Sequence, residues 1–217
     1  MNVSNNKYTK RIISLFKCYD AMSPNHKPAP TLRSSCLQFF VPLDRQAGWY
    51  RAVKKALGRV RPQEGHFHIT VAFIKDEIDL VGAQQVAEIL DEELKGITAP
   101  TFVFDTVDAF LSENREKSIV NLTASRVPEE WAAFVDRIRT RLSSAGYHLG
   151  PYRLHVTLAR VPIKYIGLEA LQARLARIAV PPMSLTLTKA DYRFFQEYDW
   201  FVKEWSLPVG PLCGLVP

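Results

Sequence analysis

The chain has 217 residues, 47% of them hydrophobic and 23% charged, and a net charge of +6. It is long enough for one sizeable core or two small lobes, and its balance of residues is that of an ordinary soluble globular protein. Its apolar runs fall short of the ~18 residues that mark a membrane helix. The three scattered cysteines, Cys18, Cys36 and Cys213, support neither a disulfide framework nor a Cys-based zinc site.

The basic charge is concentrated at the start. Residues 1–33 carry Lys7, Lys10, Arg11, Lys17, Lys27 and Arg33 against the single acid Asp20, so +5 of the +6 lies there. The remaining body is nearly neutral, which argues against broad, sequence-independent binding of long nucleic acid. We expect 1–33 to be a basic, flexible tail and 34–217 a two-lobed domain; a targeting role for the tail is the lesser expectation, and reduced thiols indicate a cytoplasmic protein.

Along the body, Leu37-Gln38-Phe39-Phe40-Val41-Pro42 reads as a buried strand ended by proline. Trp49, Val53, Ala56 and Leu57 have helical spacing within 45–59. A strand is expected over 66–74, then a helix over 79–95 ending near Gly96. Residues 101–110 and 117–124 are rich in Val, Phe and Thr, and the polar run Ser112–Glu116 between them signals a hairpin. A helix over 128–145 has Pro128 near its first turn and Gly146 at its end. A strand over 153–160, a helix over 167–179 and two or three closing strands follow. Helices and strands are mixed, with substantial antiparallel pairing, so the fold class is α+β. No glycine-rich phosphate loop and no G-x-S-x-G nucleophile elbow occurs.

A short internal repeat carries the chemistry. His68-Ile69-Thr70-Val71-Ala72 matches His155-Val156-Thr157-Leu158-Ala159 in type at all five positions. Strand parity puts Ile69, Val71 and Phe73 on one face and His68, Thr70 and Ala72 on the other. In the second copy it puts Val156 and Leu158 on the core face, and Arg153, His155, Thr157 and Ala159 away from it. Each strand then offers an imidazole and a hydroxyl ~6–7 Å apart at Cα, beside a small alanine that leaves room for a ligand. One neutral imidazole can take a proton from an attacking water while the other, protonated, gives one to the departing oxygen. Threonine hydroxyls can hold the non-bridging oxygens, and this chemistry requires no metal and no cofactor.

With these stretches and Phe39-Phe40-Val41-Pro42-Leu43, the sequence resembles the two-histidine (2H) phosphoesterases. It is most similar to the bacterial RNA 2',3'-cyclic phosphodiesterases, also called 2'-5' RNA ligases, over roughly residues 36–207. The resemblance implies a bilobal α+β fold: two lobes related by a pseudo-twofold, mainly of antiparallel sheet, with flanking helices and a central groove. It implies opening of a 2',3'-cyclic phosphate on an RNA 3' end or a small nucleotide to a 2'-phosphate, with reversible 2'-5' ligation as a related activity. It implies His68 and His155 as the catalytic pair, Thr70 and Thr157 as phosphate-binding residues, and Arg160 as a further phosphate ligand. Parity resists the last assignment, since residue 160 alternates to the core face; Arg153 is its rival on parity alone. We expect no membrane association and a monomer.

Two other readings stay open. His66, His68 and His155 could ligate zinc in a metal-dependent hydrolase, although no Asp, Glu or Cys falls at an obvious ligand spacing. The same fold could also be a non-catalytic RNA or nucleotide-binding module. His148 is expected in a loop at a strand entrance, and Arg137, Arg139 and Arg141 on a solvated helix face. Most of the late aromatics, Phe194 to Trp205, are expected in the core. Tyr165 and Phe195 are the candidates for a base-stacking surface.

Overall fold

The computed structural model describes residues 32–195 and 199–210. The expected tail therefore lies outside the described residues except for Leu32 and Arg33, which open the first strand. The chain runs β1 (Leu32–Phe40), α1 (Gly48–Leu57), β2 (His68–Ile78), α2 (Leu80–Leu94), β3 (Thr101–Leu111) and β4 (Lys117–Arg126). It continues through α3 (Trp131–Ser144), β5 (Val156–Pro162), α4 (Leu168–Leu175), β6 (Met183–Thr186), β7 (Lys189–Phe195) and β8 (Asp199–Ser206).

Local chemistry sets these boundaries. The Asp79 carboxylate caps α2 by accepting from the Gly82 N–H at 2.8 Å. Beyond the ends of α2 and α3, Gly96 (φ +80°) and Gly146 (φ +94°) turn the chain through left-handed conformations open to glycine. α3 starts at Trp131, later than expected, because Pro128 lies in a turn whose carbonyl accepts from the Trp131 N–H. Helix α1 buries Trp49, Tyr50, Val53 and Leu57 along one stripe.

All strand pairings are antiparallel, in the order β6-β3-β4-β5-β2-β1-β7-β8. The order reads the same way from the middle outward. β1–α1–β2–α2 and β4–α3–β5–α4 are equivalent runs, with β7 and β8 extending one half and β3 and β6 the other. The helices cross between halves, α1 packing on α4 and α2 on α3. Phe39 of β1 meets Trp131 of α3 edge-on at 5.2 Å, and Trp131 meets Phe102 of β3 at 5.0 Å, so one aromatic core spans both halves. Buried Glu93 on α2 receives Arg137 Nε at 2.6 Å and Arg141 Nη1 at 3.0 Å from α3.

Candidate active site

β2 and β5 pair at one rung, Ile69 opposite Val156, both fully buried, and a separate bridge, Ile74 opposite Leu149, ties β2 to the segment ahead of β5. One step either side of that rung, antiparallel pairing sets His68 opposite Thr157 and Thr70 opposite His155, on the face away from Ile69 and Val156. The ladders then part. Regular strand begins only at His68 and Val156, later than the expected 66 and 153, although the Phe67 carbonyl still accepts from the Val41 N–H at 2.8 Å.

A matched pair of bulges reshapes both motifs. In β2, Gln38 pairs with Thr70 and Leu37 with Ala72, leaving Val71 as the extra residue. In β5, Asn121 pairs with Thr157 and Val120 with Ala159, leaving Leu158 extra. Each bulge follows directly on the motif threonine and reverses the alternation beyond it. Two parity expectations are therefore corrected. Ala72 and Ala159, both fully buried, lie on the core face and not beside the imidazoles. Arg160, paired with Ile119 two residues from Asn121, shares the face of Thr157, so the objection from parity disappears. Phe73 crosses in the same way, pairing with Cys36 on the face of Gln38.

The bulges are held from outside the sheet. The Leu158 carbonyl accepts from the Gln63 backbone N–H at 2.7 Å, and the Gln63 side-chain carbonyl accepts from Arg160 Nη1 at 2.9 Å. The Val71 carbonyl accepts from Arg139 Nη1 at 3.5 Å, while Arg139 Nη2 donates to the Gly150 carbonyl at 2.8 Å. Arg139 thus leaves the solvated face expected for it, because its guanidinium reaches back onto the motif strand.

Both histidines are oriented by the same device. The His66 carbonyl accepts from His68 Nδ1 at 3.1 Å, and the Arg153 carbonyl accepts from His155 Nδ1 at 2.8 Å. A carbonyl only accepts, so each Nδ1 carries its proton and each neutral ring keeps Nε2 for chemistry. Burial pushes the His68 imidazole down to about 4 against the lifting effect of the His66 carbonyl, with Arg193, Arg160 and His155 pushing the same way as burial. Burial also lowers His155, opposed by the Arg153 carbonyl and assisted by the Arg153 and Arg160 charges. Arg160 is therefore close enough to act on both rings, and the two rings act on one another.

The surroundings of the two rings differ. His68 opens on a cavity of about 200 Å³ lined with Gln38, Gln63, Arg160 and Arg193, with Glu64, Gly65 and His66 completing the wall. His155 lies edge-on to Phe110 at 5.1 Å, and Arg153 stacks on the same Phe110 ring at 3.7 Å. Arg153 thus borders His155, and Arg160 stands nearer the centre. His66 packs its ring on Phe40 at 5.2 Å, and among the described residues no three His, Cys, Asp or Glu converge as a metal site would need, so the trio His66, His68 and His155 does not assemble.

Other candidates are placed as follows. His148 sits in a loop, paired with Asp76 at 2.8 Å at the mouth of β2. Tyr165 is 67% exposed and does not line the cavity, and the Phe195 side chain lies outside the described residues. Phe194 is buried as expected. Sequence reasoning passed over Gln38, Asn121, Gln63, Phe110, Asp191 and Arg193. A signal existed for two of them, since Gln38 and Asn121 interrupt otherwise apolar strands, and a polar residue in a buried strand asks for a partner.

Residues 42–193 match the family model of the 2'-5' RNA ligase superfamily. The chain belongs to that superfamily. As in other members of this two-histidine phosphoesterase superfamily, the chain is a mixed α+β fold around a curled antiparallel sheet, and solved structures agree. Escherichia coli LigT complexed with 3'-AMP matches at 17% identity and a TM-score of 0.55, over 82% of this chain and 99% of that one. The apo form of the same protein matches at 18% and 0.54, over 83% and 99%. Kluyveromyces marxianus Usb1 matches at 9% and 0.51, over 82% and 99%. No curated protein matches the chain. Membership in the 2'-5' RNA ligase superfamily supports phosphoester chemistry, and no described helix is long and apolar enough to cross a membrane.

Proposed function

We propose that the protein is a phosphodiesterase that opens 2',3'-cyclic phosphates of RNA 3' ends or nucleotides to 2'-phosphates, with His68 and His155 as its base and acid. The observation that carries the reading is the Ile69–Val156 rung, which gathers both His-x-Thr motifs onto one face with both Nε2 atoms left for chemistry. Nucleotide-sized substrates suit the fold: a LigT structure is complexed with 3'-AMP. Water attacks phosphorus as one Nε2 takes its proton, the P–O3' bond breaks, and the other imidazole's proton passes to O3'. Thr70, Thr157 and Arg160 hold the non-bridging oxygens, where charge builds.

His68 fits the base. Held near 4 among cations, it is neutral at pH 7 and would be costly to charge. His155 then supplies the proton, its imidazolium favoured once the anionic phosphate arrives. The bound phosphate belongs to a substrate met by a monomer in a cytosol-like compartment, where Cys36 stays a buried thiol.

The test is turnover of a nucleoside 2',3'-cyclic phosphate, followed by product chromatography. Wild type should yield the 2'-phosphate alone, and His68→Gln and His155→Gln should each lose at least ~100-fold in rate. On an aryl phosphodiester whose leaving group needs no proton, His155→Gln should recover and His68→Gln should not. No turnover by wild type, with nucleotide binding intact, would leave a binding module instead.

A further inference from the structure

We propose that Arg193, anchored by Asp191, is a phosphate-binding residue of this site, closing on the phosphate from the His68 side while Arg160 holds it from the other half. The inference deepens the proposed function and rests on the same reacting phosphate. Cys36 pairs with Arg193 and Gln38 with Asp191, and Gln38 faces Thr70, so register places both on the motif face of the sheet. Arg193 lines the same cavity as His68 and Arg160.

Asp191 makes the placement fixed. Its side chain is fully buried and accepts from Arg193 Nε at 2.8 Å and from Arg193 Nη2. Burial raises the Asp191 carboxyl, while Arg193 and the facing Gln38 amide favour its charged form. A buried carboxylate held on one edge of a guanidinium fixes that group's direction at a cost in solvation, an arrangement expected where aim matters more than stability. The Arg193 guanidinium also lies 5.5 Å from the Phe40 ring centre, bracing it from a second side.

The other half of the molecule supplies the comparison. Asn121 faces Thr157 as Gln38 faces Thr70, and Asn121 pairs with Asp108 as Gln38 pairs with Asp191. Counting on two residues, the place of Arg193 is taken by Phe110, which packs on His155. At that register position one imidazole is thus backed by a cation and the other by an aromatic ring, on which Arg153 stacks. Charge at that place on the His68 side alone suits a phosphate whose oxygens lean toward His68, with the rest of the nucleotide toward Phe110.

The experiment titrates inorganic phosphate into the full-length protein and follows the imidazole resonances of both histidines, beside kcat/KM against pH on a nucleoside 2',3'-cyclic phosphate. The variants are Arg193→Lys, Asp191→Asn and the double change Asp191→Asn with Arg193→Gln, which removes both charges of the Asp191–Arg193 pair together. The double variant should lose roughly 10- to 100-fold in phosphate affinity, the worth of one charged hydrogen-bond pair. The acid limb of its kcat/KM profile should move to higher pH, because a cation has left His68; loss of structure alone would not move it. Arg193→Lys should keep the limb and recover part of the affinity, and Asp191→Asn, which keeps the cation but loses its anchor, should keep the limb and lose part of the affinity. A folded double variant with wild-type phosphate affinity and an unmoved limb overturns the proposal. If wild type opens no cyclic phosphate, the functional reading fails, while the phosphate titration still decides the place of Arg193.

Discussion

Gln38 and Asn121 occupy equivalent places in the two halves of the sheet, each buried and each directly opposite the threonine of a His-x-Thr motif. A bulge follows each threonine, and the one after Thr157 puts Arg160 on the face of that threonine.

Asn121 is the more tightly committed of the two amides. Its Nδ2 donates to the Asp108 carbonyl at 3.1 Å and to the Ile119 carbonyl at 3.2 Å. Asn121→Leu should cost about 1–3 kcal/mol through the orphaned carbonyls. Urea unfolding should show the loss as a lower midpoint, and the folded fraction should also show a raised KM as Thr157 shifts.

Gln63 joins a bulge to an arginine, so its side chain and backbone can be separated. Gln63→Ala removes the acceptor of Arg160 Nη1 and leaves the backbone bond to Leu158. We expect a melting temperature close to wild type and a loss of roughly 5- to 30-fold in kcat/KM, the scale of one side-chain hydrogen bond. Steady-state kinetics beside a thermal melt separates the two.

The pH dependence of stability follows from His68. Its folded value, about 4, lies below the ordinary 6.5. Between those two values the unfolded chain binds a proton that the folded chain refuses, so the stability present above about pH 6.5 is lost as pH falls toward about 4. His155, also lowered, adds to the same trend. His68→Gln should flatten the fall in melting temperature over that range, and a curve as steep as wild type's would contradict the burial of the ring.

Ile69 sits where the strands of the two halves pair. Ile69→Ala should destabilise by about 2–5 kcal/mol, since the side chain is fully buried in the core at the rung that joins them. Ile69→Val should cost ~1 kcal/mol and keep most activity. Chemical denaturation with activity measured at equal folded fraction checks both.

The repeat was legible because chemistry and spacing coincide in five residues. His68, Thr70, His155 and Thr157 could be chosen with no structure, and the first helices could be drawn from apolar spacing and from Gly96 and Gly146 at their ends. Arg160 shows where the reading stopped. Alternation of side chains is a rule for an unbroken ladder, and Val71 and Leu158 break it without any local mark, being ordinary strand residues.

By itself, then, the sequence determined which groups are the candidates for the chemistry and that they come in two equivalent copies, because residue type and short-range period are properties of the chain alone. Tertiary structure decided how the copies meet. The Ile69–Val156 rung, the paired bulges, and the arrival of Gln63, Phe110 and Arg193 from other elements depend on partners remote in sequence. Those contacts also depress both histidines, since desolvation and neighbouring charge exist only once the chain has folded around them.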